Sequence, residues 1–405
     1  MAKDRRSGCH ESTDNIPGRD VIRGLPFGAL IVLGVKTFNM TVRRTNKDSA
    51  RFIIDCEKLQ VQEFQSAVLN WFDREGRKNL PWQTDPTPYR VWVSEIMLQQ
   101  TQVSSVIPYF LRFMERFPNL RSLALAPEEE VLGHWAGLGY YARARNLRKT
   151  ALILLESHGG ELPANVDTLA GLPGIGRSTA GAIASLALGL RAPILDGNAK
   201  RVISRFAAVQ GWPGEAKISR ELWRISENFT PSKRVADYTQ AIMDLGATLC
   251  TRSSPNCTRC PLQDACLGFR LKLTKELPSP RPKKDMPEKR CLMLVLCDGN
   301  GWFYLEKRPP TGIWGGLWSF PQFNSHEELA AWCQMRNVNV ELDALPERRH
   351  TFSHYHLDYI PMVGQAAQTL KIAESNLEWL KPEDNSPLPT PVRRLMLELG
   401  QFINR

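Results

Sequence analysis

Glu95 is the single acid of an otherwise largely apolar run, Tyr89-Arg-Val-Trp-Val-Ser-Glu-Ile-Met-Leu-Gln99. A carboxyl group in such surroundings is solvated worse as an anion than as an acid, so its protonated form is favoured. That is the state a general acid needs near neutral pH. A second carboxyl, Asp196, stands at the edge of another apolar stretch, Pro193-Ile-Leu-Asp-Gly-Asn198. The plainer alternative leaves each as an ordinary solvated acid.

Upstream of Asp196, Leu172-Pro-Gly-Ile-Gly176 cannot be helix interior. Arg177 to Leu188 then reads as a helix of small apolar residues, with Ser178 or Thr179 able to cap its start. A glycine-rich turn opening a helix presents free backbone N–H groups and a positive dipole end, which suits a phosphate. Gly174 and Gly176 are the candidates for that grip; a common helix–turn–helix is the alternative.

Nine cysteines are present, and four of them, Cys250, Cys257, Cys260 and Cys266, are separated by six, two and five residues. An odd total with one tight cluster reads as a metal site in a reducing cytoplasm, not a disulfide framework. Four thiolates in one loop suit a [4Fe–4S] cluster or a tetrahedral zinc, and spacing alone leaves both open.

The elements that must position these groups are helical between Val61 and Phe269. The periodicity predicts helices from Val61, over Tyr89–Gln99, over Thr101–Phe117 with a bend at Pro108, and over Glu128–Trp135. Further helices are expected over Asn165–Leu172, Lys200–Val209, Lys217–Phe229 and Ala236–Leu249. Gln99 and Gln100 form a polar wedge between two apolar runs, of the kind that can fill the space left by an extruded base. Tyr140 and Tyr141, beside Arg143, Arg145 and Arg148, suit base stacking and phosphate contacts, or else a packed aromatic corner.

Beyond Phe269 the pattern changes. Residues 270–289 form a basic, proline-rich linker. From about 290 to 405 strands alternate with turns: Cys291–Cys297, a turn at Asp298-Gly-Asn-Gly301, Trp302–Leu305 and Asp358–Val363, with helices over Glu327–Met335 and Pro391–Phe402. This second domain is expected to be α+β. His350, His354 and His356 lack the carboxylates or cysteines that would complete a metal site, and Phe352-Ser353-His354 reads better as a base-recognition loop. Residues 1–60 show no usable pattern; they are expected to be a loose extension, or a mis-assigned start with translation beginning near Met40 or later.

A chain of 405 residues calls for two or three domains, and its net charge of +10 favours a polyanionic partner, nucleic acid above all. Leu25 to Val35 is too short to span a bilayer and lacks a secretory cleavage signature, so no membrane segment is expected.

Leu172 to Asp196 resembles the helix–hairpin–helix and downstream Asp of the endonuclease III superfamily of DNA glycosylases. Leu80-Pro-Trp-Gln83, Val93-Ser-Glu-Ile-Met-Leu-Gln-Gln-Thr-Gln102, Gly137-Leu-Gly-Tyr-Tyr-Ala-Arg-Ala-Arg-Asn-Leu147 and Phe352-Ser-His354 are similar to the MutY-type adenine DNA glycosylases within it. The likeness runs from about residue 62 to the end. It implies an all-α glycosylase domain over 61–269, with a [4Fe–4S] loop at 250–266, followed by a Nudix-like domain that recognises 8-oxoguanine. After Gly315-Gly-Leu-Trp318 there is no Glu-rich pyrophosphatase box, which implies binding without hydrolysis.

What the resemblance implies about activity is equally specific. Adenine mispaired with 8-oxoguanine or guanine in double-stranded DNA would be flipped out and excised, with Glu95 as the acid and Asp196 stabilising the sugar cation. Ser178 stands where bifunctional relatives carry a nucleophilic Lys, so a monofunctional enzyme is expected, with Lys200 at most a source of weak adducts. Trp82, Ser178 and Gln240 would line the adenine pocket, Gln99, Gln100 and Tyr140 would wedge the duplex, and Gly174 and Gly176 would hold phosphate. A monomer in a bacterial cytoplasm, near the nucleoid through DNA binding, is the expected setting. A bifunctional oxidised-pyrimidine glycosylase/lyase and a non-enzymatic DNA-binding protein are the alternatives.

Overall fold

The computed structural model describes residues 58–282, 285–366, 376–384 and 386–403. Apart from the first residues of a helix that begins at Lys58, the N-terminal extension expected over 1–60 lies outside them. The first half of the described chain is helical: α1 (Lys58–Glu75), α2 (Pro88–Leu98), α3 (Val103–Arg116), α4 (Leu120–Leu125), α5 (Glu128–Trp135) and α6 (Ala142–Ser157). It continues with α7 (Val166–Ala170), α8 (Arg177–Leu188), α9 (Gly197–Phe206), α10 (Ala216–Phe229), α11 (Val235–Thr248) and α12 (Leu267–Arg270). Among the described residues no strand precedes Glu288.

Local chemistry sets several of these boundaries. Thr87 caps α2 by accepting the Arg90 N–H, and Pro88 fills the first helical position, where its missing donor costs nothing. Pro108 stands within α3, which runs through it to Arg116. Asn119 and Ser122 form a reciprocal capping box at α4. The sequence signals α6 weakly, because its first turn, Ala142-Arg-Ala-Arg, lacks a clear apolar stripe.

From Glu288 the chain forms β1 (Glu288–Cys297), β2 (Phe303–Lys307), β3 (Trp318–Ser319), β4 (Gln322–Phe323), α13 (His326–Met335), β5 (Asp343–Ala344), β6 (Arg348–Thr351), β7 (His356–Gln365), β8 (Leu377–Leu380) and α14 (Thr390–Ile403). The strands make one mixed sheet. β1 pairs in parallel with β7 from Glu288↔His356 to Cys297↔Gln365, and the other pairings are antiparallel. From Leu292 on, β1 is buried on both faces, and its side chains alternate between two cores as a two-residue repeat requires. Leu292, Leu294 and Leu296 pack beneath α13, whereas Met293, Val295 and Cys297 join a core that also contains α2, α3, α5, α6 and α14. That second core is continuous from the helical region into the sheet. A separate cluster joins α1, α9, α10 and α11.

No helix among the described residues is long and apolar enough to cross a membrane.

Candidate active site

The packing of α2 on α8 brings the two expected carboxyls into one electrostatic neighbourhood. On α2, Tyr89, Val91, Trp92, Val93, Ser94, Ile96 and Met97 are all buried, and Glu95 is partly so. Burial pushes the Glu95 carboxyl up to about 8, and the nearby Asp196 adds to the rise. Glu95 is therefore largely protonated at neutral pH.

Asp196 occupies the N-cap of α9. Its Oδ2 accepts the Asn198 N–H at 3.1 Å and its Oδ1 the Ala199 N–H at 2.8 Å. Burial raises this carboxyl too, but the two backbone donors, with Arg201 and Lys200 nearby, work in the opposite direction. A helix N-terminus favours an anion. The net shift of Asp196 is still upward, and what distinguishes it from Glu95 is the pair of backbone donors at the helix N-terminus that would hold its carboxylate.

The hairpin sets where Asp196 stands. Gly174 has φ +79°, and a Cβ there would lie 2.8 Å from Asn146 Cβ, so glycine is needed. Gly181 on α8 is packed so closely under the returning chain that a Cβ would meet the Pro193 carbonyl at 2.4 Å. Gly176 is the N-cap of α8, faces open space and is accompanied by no side-chain cap. The expected cap from Ser178 or Thr179 is therefore not formed, because both lie inside the first turn. Instead Ser178 Oγ accepts the Leu195 N–H at 3.0 Å, and Thr179 Oγ1 accepts the Gln99 amide at 3.3 Å.

A cleft of about 550 Å³ lies between the helical region and the sheet domain. It is lined from one side by Gln99, Gln100 and Tyr140, and from the other by Trp314, His350, Phe352, Ser353 and His354. Gln100 and Tyr140 adopt left-handed backbone conformations, φ +58° and +50°. Such backbone is uncommon for non-glycine residues and tends to collect at functional sites. Phe352 stacks on Tyr355, and Trp314 backs both Phe352 and His350 at ring distances of 6.0 Å.

Arg143 corrects one expectation. Its guanidinium is buried, not presented to a phosphate, and donates from Nη1 to the carbonyls of Ile96, Met97 and Gln99. Nη2 reaches the carbonyls of Leu138 and Gly139 and the Thr101 hydroxyl. It closes the C-terminal end of α2 and ties it to the loop before α6. Arg145 donates to the Gly315 carbonyl at 2.5 Å, and Arg148 to that of Ala126.

Other expected residues stand apart from the cleft. Trp82 is core, its ring edge-on to Phe110. Gln240 is buried and donates its amide to Asp244, whose Oδ1 also accepts from Arg77 Nε and Nη2 and whose Oδ2 accepts the Arg77 backbone N–H. Lys200 is half-buried on α9. The positioning roles of Arg143 and Trp314 carry no local sequence signature beyond their place in the Gly137–Leu147 and Gly312–Trp318 segments.

The four cysteines gather at the end of α11 and the start of α12. Cys250, Cys260 and Cys266 pack on the neighbouring core, and Arg205 Nη1 lies 3.3 Å from Cys250 Sγ. Burial pushes Cys260 up to about 12 and Cys266 up to about 11, and the neighbouring thiols add to both. Four thiols gathered in one loop, two of them poorly solvated, suit a group that carries positive charge to them. That donor set fits an iron–sulfur cluster. Among the described residues, no group of three or more His, Cys, Asp and Glu side chains forms a ready single-ion site.

Residues 93–228 match the HhH-GPD superfamily of base excision DNA repair proteins, and residues 292–398 match the NUDIX domain. An adenine DNA glycosylase of Buchnera aphidicola is 39% identical over 338 residues, covering 82% of this chain and 96% of its own length. The mouse adenine DNA glycosylase is 34% identical, covering 83% of this chain and 77% of its own length. A solved thermostable thymine-DNA glycosylase is 25% identical with a TM-score of 0.46, covering 52% of this chain and 97% of its own.

Proposed function

The chain belongs to the MutY-type adenine DNA glycosylases, hydrolases of N-glycosyl bonds in base excision repair, and we propose that it excises adenine paired with 8-oxoguanine or guanine in double-stranded DNA. The observation that carries the reading is the pair Glu95 and Asp196, one carboxyl held protonated and the other capped by backbone donors.

The flipped adenine leaves the stack at a cost of about a few kcal/mol, less at a mispair. Glu95 gives its proton to a ring nitrogen of the base, so that when the C1′–N9 bond breaks the electron pair departs with a neutral leaving group. Positive charge then develops on the sugar, and the Asp196 carboxylate stabilises it from nearby. Water adds at C1′ and loses its proton to the Glu95 carboxylate, which restores the acid. Ser178, already engaged with Leu195, offers no amine for a Schiff base, so the reaction ends at the abasic site. Lys200 is at most a weak adduct former.

Gln99, Gln100 and Tyr140 wedge the distorted duplex, and Phe352, Ser353 and His354 read the base opposite adenine across the cleft they share. Gly174 and Gly176 hold phosphate at the exposed hairpin. Ser178 belongs to the adenine side of the site, and the buried Trp82 and Gln240 support that side from behind. Cys250, Cys257, Cys260 and Cys266 would hold a [4Fe–4S] cluster, which when bound braces the loop between α11 and α12. The chain acts as a monomer, with residues 61–269 carrying catalysis, 270–289 linking, and 290–405 reading the mispair.

One assay tests the reading: duplexes with adenine opposite 8-oxoguanine, guanine or thymine, incubated with the chain and then treated or not with alkali. Alkali-dependent cleavage at adenine in the first two alone is expected. Alkali-independent nicking, or equal cleavage of adenine opposite thymine, overturns it.

A further inference from the structure

The loop from Arg308 to Leu317 joins β2 to β3 and carries Trp314 at its tip. Its neck is closed by the Arg308 N–H bonded to the Leu317 carbonyl and by the Gly316 N–H bonded to the Arg308 carbonyl. Trp314, itself buried, packs against His350 and Phe352. The helical region grips this loop at three points. Glu129 on α5 takes Lys307 Nζ on Oε2 at 2.7 Å and Trp318 Nε1 on Oε1 at 2.5 Å, so one carboxylate holds the last residue of β2 and the first of β3. Arg145 on α6 holds the Gly315 carbonyl, next to Trp314.

We propose that Glu129 is a positioning residue for selectivity at the base opposite adenine: by fixing both feet of the 308–317 loop it sets Trp314, and through it the Phe352–His354 segment, relative to Gln100 and Tyr140. This rests on the assignment of Phe352–His354 to mispair reading. Glu129 itself lies outside the cleft and touches neither Glu95 nor Asp196 by any hydrogen bond. Losing it therefore leaves the chemical step intact and loosens only the register between reader and wedge. Exposed ion pairs contribute little, so the Lys307 contact alone is a minor part. The bond from the buried Trp318 indole is charge-assisted and is the stronger one.

The test measures kcat/KM for excision by the full chain on duplexes with adenine opposite 8-oxoguanine and opposite guanine, for Glu129→Ala, Glu129→Gln and Lys307→Met. The preference for the 8-oxoguanine duplex in kcat/KM is expected to fall about five- to tenfold in Glu129→Ala, with the guanine duplex changed by less than about twofold. Glu129→Gln keeps an acceptor for Trp318 and should recover part of the loss, while Lys307→Met should show the smallest effect. Should Glu129→Ala fold poorly by circular dichroism, the comparison of the other two variants carries the test. Equal loss on both duplexes, or an unchanged preference in Glu129→Ala and Glu129→Gln, overturns the role given to Glu129. A wild-type chain without any preference overturns instead the assignment on which it rests.

Discussion

Ser178 Oγ accepts the backbone N–H of Leu195 at 3.0 Å, which pins the first turn of α8 to the residue just before Asp196. Leu195 is buried, so its N–H has no water to turn to if the hydroxyl is lost. An unsatisfied buried donor costs about 1–3 kcal/mol. Ser178→Ala is expected to lower stability by that amount in denaturant titration. It should also slow adenine excision about tenfold, because small misplacements of a reacting group are costly. Unchanged stability and rate together would show that the bond positions nothing.

Glu95 ties both activity and stability to pH, and both fall as pH rises. The unfolded chain ionises this carboxyl near its ordinary 4.5, whereas the folded chain resists until about 8. Its contribution therefore penalises folding progressively as pH rises from about 4.5 to about 8, and is constant above that. Glu95→Gln removes the penalty. The variant should match the wild type in unfolding free energy at the acid end and exceed it at pH 8 and above, by an amount on the order of a few kcal/mol that a rise in Tm also reports. Its excision rate should fall by at least about 10²-fold. Wild-type excision should decline as pH passes through about 8. A Tm difference that does not vary with pH contradicts the burial argument.

Much of this site can be read locally. The isolated acid in α2, the broken turn before α8 and the Asp before Gly197 are all signalled within short windows, because helix periodicity and capping chemistry are local. What could not be read there is nonlocal. A buried Arg143 looks like any surface arginine until carbonyls from two separate segments are seen to converge on it. Glu129 sits among three acids that open α5 and read simply as favourable to the helix dipole. Their sequence distance from Lys307 and Trp318 conceals the grip on the second domain. Trp314 likewise acquires a role only from its neighbours across the sheet.

Asp244 anchors the segment after α1. Its side chain is fully buried and takes the Arg77 backbone N–H, two guanidinium N–H groups and the Gln240 amide. Removing the carboxylate leaves Arg77 half-buried without its counter-charge, and breaking such a pair costs about 3–5 kcal/mol. Asp244→Ala is expected to lose that much stability by urea titration. Gln240→Ala, which removes a single bond to the same carboxylate, should lose about 1 kcal/mol. If Gln240→Ala proves the costlier of the two, the pair with Arg77 is not the anchor.

Arg143 offers a discrimination between two kinds of arginine. If it met a DNA phosphate, its removal would lower the dependence of binding on salt by about one unit of slope. As a buried clasp it makes a different forecast. Its guanidinium fixes the carbonyls on either side of the cleft, Gln99 next to Gln100 and Gly139 next to Tyr140. Both following residues have left-handed backbone that the surrounding contacts must hold in place. Arg143→Lys keeps the charge but cannot span the same acceptors, since an ammonium lacks the planar fork. The variant should lose about 2–4 kcal/mol of stability. It should also bind mispaired duplex about tenfold more weakly, because the wedge is no longer pre-organised. The slope of log K against log salt should stay at the wild-type value. A reduced slope with unchanged stability would place the guanidinium on the DNA backbone instead.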